Sequence, residues 1–384
     1  MNKEIRRIMI ATFLLWFSMY TYPSFLQAYA EDVLMATPLM IGLITGSYGF
    51  TQMLIRIPLG ILSDLSGRRK PFIVAGMAAS ALAAAGFFWT KSAMGALFFR
   101  ALTGVAASTW VNVTVLYSAH FEKDEVNEAM SKLSLPQYIS QVAAMLVGSM
   151  LAQLYGAKWA FALSFFAAGL GIAVTLGIED FKPREESEAI TARTLLQVVR
   201  DRDLLLSTAL STLFHFVCWG TVLGFVANWA TNAAGFTTAQ LGFLSIAYML
   251  PNAVVSRFSG ASLALRFGEK KVQTAGFLLV AAACFLYPLA RSAATLFPVQ
   301  MLFGVGMGLI LPLTMSGAIR SIPPAARGAA MGFYQSVYGL GMFAGPVIAG
   351  AVVQSAGYEA NFVLMGALAL CGGAMAWIFL EKGK

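Results

Sequence analysis

The sequence predicts an all-α membrane protein with twelve transmembrane helices in two pseudo-symmetric six-helix halves. Three observations carry this: an apolar composition, apolar runs long enough to cross a bilayer recurring along the whole chain, and an internal repeat that superimposes one half on the other.

Composition comes first. Of 384 residues, 58% are hydrophobic and 11% charged, against roughly 25% charged in an ordinary soluble domain. A water-soluble fold with this make-up would lack the polar surface to cover its core, so the bilayer is the expected solvent. The net charge of +8 does not point to nucleic acid. The basic residues sit in short gaps between apolar runs and form no stripe or aromatic-interleaved patch suited to phosphate backbones. Cys218, Cys284 and Cys371 lie inside apolar runs without metal or redox spacing and read as small buried hydrophobes. No cofactor or metal is expected. The basic N-terminus is followed by an apolar stretch to about Ala30 with no small-residue cleavage site, which reads as a retained first helix rather than a signal.

A helix needs about 20 apolar residues to span the hydrocarbon. Spans are expected near 8–30, 38–63, 72–90, 93–118, 133–154, 158–178, 204–229, 238–264, 273–290, 293–319, 328–354 and 358–380. Lys and Arg concentrate in the loops on the side of the termini, including Arg6, Arg68, Lys132, Arg200, Lys271 and Arg327; the opposite loops hold Lys91, Lys158 and Arg291. The positive-inside rule therefore places both termini in the cytoplasm, with the plasma (inner) membrane as the site of a multi-pass chain. The polar stretch 179–203 divides residues 1–178 from 204–384. It reads as a cytoplasmic linker with an interfacial helix around Thr194–Arg200.

Shifting the chain by 201 positions places Arg56 on Arg257, Gly67 on Gly268, Arg69 on Lys270 and Lys70 on Lys271; a shift of 200 places Gly104 on Gly304. Two parallel repeats around a midplane site are a transporter architecture. A channel would need a filter or charged ring, and the sequence offers neither.

The loop after the second span reads Gly60-Ile-Leu62-Ser-Asp64-Leu-Ser-Gly67-Arg68-Arg69-Lys70. Asp64 sits where the helix dipole disfavours an anion. It requires compensation by Arg68, Arg69 or the N-terminus of a helix from the other half. Gly60 permits close helix approach and Gly67 a tight turn. This segment resembles the signature cytoplasmic loop of the major facilitator superfamily, and the stretch from Ile41 to Pro71 is most similar to its drug:proton antiporter branch, including YajR-like members. The resemblance extends over the whole chain in helix number, linker position and repeat. It implies that Gly60, Asp64, Gly67, Arg68, Arg69 and Lys70 form a conformational latch between the halves, outside the substrate path. Leu65 stands where the family has Arg, so one charge contact is missing or supplied by Arg68.

Arg100 and Gly104 in the fourth span resemble the family's R-x-x-x-G motif, whose Arg is associated with proton coupling. The alternative is an Arg bonded to helix carbonyls or water; Glu31 and Asp32 are the acids that could reach it. The family's fifth-span antiporter motif is reduced to Ala144, Gly148 and Ser149. Gly341, Gly345 and Pro346 instead place small residues and a kink in the eleventh span, suited to close packing and flexing.

No Asp or Glu falls in the middle of any span. His215, midway along the seventh, is the remaining in-span group that titrates near neutrality; it is either the proton-coupling residue or a packing residue, with Glu31 and Asp32 as competing proton sites. Candidate cavity-lining groups are Trp16, Tyr20, Tyr22, Gln27, Trp110, Asn112, Gln137, Tyr138, Gln141, Trp219, Asn228, Tyr248, Asn252, Gln300, Tyr334, Gln335 and Tyr338.

The expected function is secondary active transport of small molecules by alternating access, as proton-coupled export of lipophilic or amphipathic compounds by a monomer. The alternatives are uptake of a sugar or organic anion, and lipid or lysolipid flipping. A membrane-embedded enzyme lacks a nucleophile–base or metal constellation at one depth.

Overall fold

Helices alone build the described part of the computed structural model, which comprises residues 3–122, 125–180, 199–323 and 326–380. Most of the linker, and with it most of the expected interfacial helix around Thr194–Arg200, lies outside them.

Twelve membrane crossings follow one another. The first is broken, Lys3–Tyr20 then Leu26–Asp32; the second is Pro38–Ser66 and the third Lys70–Trp89. The fourth joins Ala93–Ser108 to Trp110–Ser118, the fifth is Val126–Tyr155 and the sixth Ala157–Leu176. In the second half, the seventh is broken like the first, Arg202–Gly220 then Val226–Ala234. The eighth runs Thr238–Phe258 through a π turn to Ala264–Phe267, the ninth is Glu269–Leu286 and the tenth Ala293–Arg320. The eleventh and twelfth form one run, Arg327–Phe379, that turns at Gly357, where φ is 86°. Ten helices are long and apolar enough to cross a membrane by themselves. The run through Gly357 supplies two crossings. The first helix falls short because Lys3, Glu4, Arg6 and Arg7 occupy its opening turns.

The repeat is visible atom by atom. Thr37 and Thr237 cap the second and eighth spans, each accepting from a backbone N–H three residues on. The breaks match as well. The Thr21 hydroxyl donates to the Phe17 carbonyl, and the Thr221 hydroxyl to the Val217 carbonyl, both at 2.7 Å. Each break gives the next helix a phenylalanine N-cap of nearly identical geometry, Phe25 at φ −125° and Phe225 at φ −126°. These pairs are 200 residues apart, whereas the following loops match at 201. The eighth span also widens into a π turn at Ser259–Leu263.

The halves touch at the end of the molecule opposite the termini. There the Gln27 amide donates to the Leu223 carbonyl at 2.7 Å, and the Asn228 amide donates to the Gln27 carbonyl at 3.1 Å. The Leu39 N–H donates to Gln354 at 3.3 Å. Gly42 lets the second span press against the eleventh: a Cβ there would overlap the Pro346 carbonyl. Towards the termini the same helices part, and Gly60 and Gly328 have no atom within 4 Å of where a Cβ would stand.

Candidate substrate cavity and its gates

Arg100 and Arg56 dominate the centre of the half–half interface. Arg100 is 5% exposed and Arg56 7%. Placing an arginine at mid-membrane depth costs at least about 2.5 kcal/mol, so both need strong compensation. Arg100 approaches the Thr103 hydroxyl at 3.4 Å, lies beside the Tyr22 hydroxyl, and stacks on the Tyr48 ring 4.7 Å from its centroid. Tyr48 in turn stacks on Trp219 of the other half, centroids 5.4 Å apart and planes 18° from parallel. A cation–π–π column thus ties the fourth, second and seventh spans together. Arg56 donates from Nη1 to the Gln335 amide oxygen at 2.7 Å, across the interface to the eleventh span. Among the described residues neither guanidinium has a carboxylate in ion-pair range, and both leave Nε without a partner.

Aromatic and hydroxyl groups surround this pair. Tyr48, Tyr138, Tyr248 and Arg100 all lie close enough to Tyr20 to interact with it electrostatically. On the C-terminal side His215 stacks on Tyr338, centroids 4.2 Å apart and planes 6° from parallel, while its Nδ1 lies 2.7 Å from the Ser211 carbonyl. The Tyr334 hydroxyl donates to Ser211 at 2.8 Å and lies 3.1 Å from the Thr314 hydroxyl. Trp16 meets Trp110 edge-on and tilts against Tyr20.

Other residues singled out from the sequence sit elsewhere. Gln300 is spent within the C-terminal half, accepting from the Tyr287 hydroxyl. Asn112 is wholly buried with both amide atoms unpartnered. Gln27 belongs to the closed end of the interface. Gln141 is buried and Gln137 half-buried on the fifth span; Asn252, half-buried, receives the Ser256 hydroxyl at 3.3 Å. Gly104 is the close approach of the fourth span to the second, where a Cβ would overlap the Tyr48 carbonyl; Gly341 and Gly345 serve the eleventh in the same way against Thr212 and Phe216 of the seventh.

Glu31 is not brought to Arg100. Its carboxylate is held across the interface by Asn228, by Asn232 at 3.3 Å, and by the Tyr358 hydroxyl at 3.0 Å. It therefore seals the closed end, and Asp32 is exposed beside it. At the other end Asp64 pairs with Arg69, not Arg68, and stays within its own half. The Arg69 guanidinium also reaches Ser63. Asp180 accepts from the backbone N–H groups of Arg69 and Lys70 at 2.9 and 3.2 Å, so a carboxylate caps the third span. Gly67 closes the turn at φ 62°, a left-handed conformation that glycine adopts without strain. Arg68 is exposed, and Lys70 opens the third span.

Sequence reasoning passed over Tyr48, Asn232 and Tyr358 as site residues and used Arg56 for the repeat alone. A charge at mid-span depth was a sufficient signal for Arg56, and Tyr48 is the repeat mate of Tyr248. Nothing in the linear pattern singles out Tyr358, which becomes meaningful through what it touches.

Twelve crossings in two repeated halves, joined at one end and parted at the other around a polar-aromatic centre, define a membrane transporter. The family model for the Major Facilitator Superfamily matches residues 8–229 and 208–384, and the chain belongs to that superfamily. Among its relatives, an uncharacterized MFS-type transporter of Methanocaldococcus jannaschii is 24% identical over 392 residues, covering 100% of this chain and 99% of the other. The multi-drug resistance efflux pump PmrA of Streptococcus pneumoniae is 26% identical over 316 residues, 79% of this chain and 76% of the pump. The solved structure of a point mutant of the nucleoside transporter NupG, 13% identical, superposes with a TM-score of 0.84 over 99% of this chain and 100% of that one.

Proposed function

We propose that the protein exports lipophilic and amphipathic small molecules by alternating access, driven by protons moving the opposite way. The observation that carries this reading is the geometry of the interface: two halves sealed through Glu31, Gln27 and Leu39 at one end, parted below Arg56 and Gln335 at the other, around a tyrosine- and tryptophan-rich centre. Lys and Arg crowd the parted end, so the positive-inside rule puts that end and both termini in the cytoplasm, with the inner membrane as the site. The cavity then opens to the cytoplasm, the side from which an exporter loads. The efflux pump among the relatives agrees with this direction.

Each element has a role in the cycle. Asp64, with Gly60, Gly67, Arg68, Arg69 and Lys70, latches the halves in the opposite state, where the N-terminus of the eleventh span would approach it. The pairing with Arg69 stores the carboxylate while the latch is undone. Gly341, Gly345 and Pro346 let the eleventh span slide against the seventh. His215 is the proton carrier, since its imidazole, stacked on Tyr338 of the same half, is the in-span side chain whose ordinary range lies near neutrality. A single chain supplies both halves of the cavity and acts as a monomer.

Inside-out vesicles carrying the protein and energised with an inward-acid proton gradient test the reading. Gradient-dependent accumulation of fluorescent amphipathic compounds, absent with Asp64→Asn, is the expected result. No accumulation of any compound by folded protein would refute export.

A further inference from the structure

Both central arginines lack a counter-ion, and no described carboxylate lies anywhere near the middle of a span. Such a site repels cations. Arg56 lies eight residues beyond Tyr48 on the second span, about 12 Å along the helix at 1.5 Å per residue, and Arg100 sits on Tyr48 itself. Two guanidinium groups without counter-ions therefore lie along one aromatic stretch of the interface. Arginine suits such a ligand, because its planar fork binds carboxylate, sulfonate or phosphate oxygens in pairs and stacks on aromatic faces. The unpartnered Nε atoms are donors in waiting.

From this we infer that the cargo is an amphipathic organic anion, its acidic group on Arg56 or Arg100 and its aromatic body along the tyrosines that gather around Tyr20. The inference deepens the export reading and rests on the same cavity. Arg56 already reaches across to Gln335. An anion seated on Arg56 also meets the C-terminal half there, which gives the loaded protein a contact between halves that the empty one lacks. Binding is thereby linked to closure, because a ligand shifts a two-state equilibrium only through contacts that differ between the states.

The test uses purified full-length protein and two probes with the same ring system, naphthalene-2-sulfonate and 2-naphthyltrimethylammonium, followed by quenching of tryptophan fluorescence. The sulfonate should bind at least about tenfold more tightly than the cation, and Arg56→Gln should weaken the sulfonate about tenfold, as expected for loss of one charge-assisted hydrogen bond. The cation should be unaffected, and Arg56→Lys should retain part of the affinity. Wild-type charge preference decides the matter even where a variant fails to fold. Equal or tighter binding of the cation, no binding of either probe, or sulfonate affinity unchanged in both Arg56→Gln and Arg100→Gln would overturn the inference. Proton-driven export of cations without anion binding would remove this inference and leave the transport reading standing. Selective sulfonate binding with no transport of any compound would do the reverse.

Discussion

The Tyr358 hydroxyl of the twelfth span donates to the Glu31 carboxylate of the first at 3.0 Å, and so joins the last crossing of one half to the first of the other. Asn228 and Asn232 add their amides to the same carboxylate. Hydrogen bonds to a charged group contribute about 1.5–3 kcal/mol each, so Glu31 is a principal fastening of the closed end. Glu31→Ala should shift the protein by at least about tenfold toward the state open at that end. Alkylation of a cysteine introduced at Leu223 measures this; unchanged accessibility would show that the helix packing closes the end without Glu31.

Two glycines of similar crowding should behave differently. Gly42 meets Pro346 of the other half, whereas Gly104 meets Tyr48 of its own half. Gly42→Val should abolish transport while the protein remains folded, because it excludes one state. Gly104→Val should lower the melting temperature, with a cost of about 1–3 kcal/mol for overpacking. Thermal melts of both variants beside transport assays separate the two, and equal melting losses would contradict the assignment.

Asp64→Asn should reduce transport at least about tenfold and leave substrate affinity within about twofold, as expected when only the balance of states changes. A large loss of affinity would place Asp64 in the substrate path.

Removing the imidazole in His215→Ala should leave substrate exchange at equal pH and eliminate gradient-driven accumulation. Wild-type proton flux in this variant would eliminate His215 as the carrier and return attention to Glu31 and Asp32.

Glu4, in the charged opening turn that precedes the membrane-spanning part of the first helix, fastens that helix to the end of the sixth span. It accepts the Glu179 N–H at 3.0 Å and the Arg7 guanidinium at 2.8 Å. The Glu179 N–H, then Arg7, hold its carboxyl below the ordinary 4.5. A depressed folded value means the contribution is complete above about pH 4.5 and fades as the pH falls through the folded value. Glu4→Gln should therefore lower the melting temperature at pH 7 and lose that difference near pH 3. A difference that persists in acid would mean the carboxylate charge is immaterial.

The sequence made the crossings legible because a bilayer leaves few options: runs such as Phe72–Trp89 can be little else. Its repeat was legible because the loop charges Arg69 and Lys270 answer the same positive-inside demand in both halves. The breaks at Thr21–Phe25 and Thr221–Phe225 are not legible in the sequence. A run of apolar residues masks a local break, and only the hydroxyl of Thr21 reaching back to Phe17 reveals it. In-span polarity singles out His215, Tyr338, Trp219 and Gln335, which the structure gathers near the two arginines' end of the interface or against one another. The structure partners Gln300 and Gln27 away from the two arginines, because a polar side chain inside a span is satisfied as readily by a neighbour such as Tyr287 as by a cavity. Residue type gives the demand for a partner; three-dimensional packing decides who meets it.

The most direct test of alternating access is a pair of spin-label distances in a variant lacking the native cysteines. One pair, Val33 with Ser355, spans the closed end; the other, Leu65 with Gly328, spans the parted end, and all four positions are exposed. Without substrate the first pair should be short and the second long. Substrate with a change of pH should populate a second state in which the first lengthens as the second shortens. Distances that stay fixed, or that lengthen together, would contradict the account.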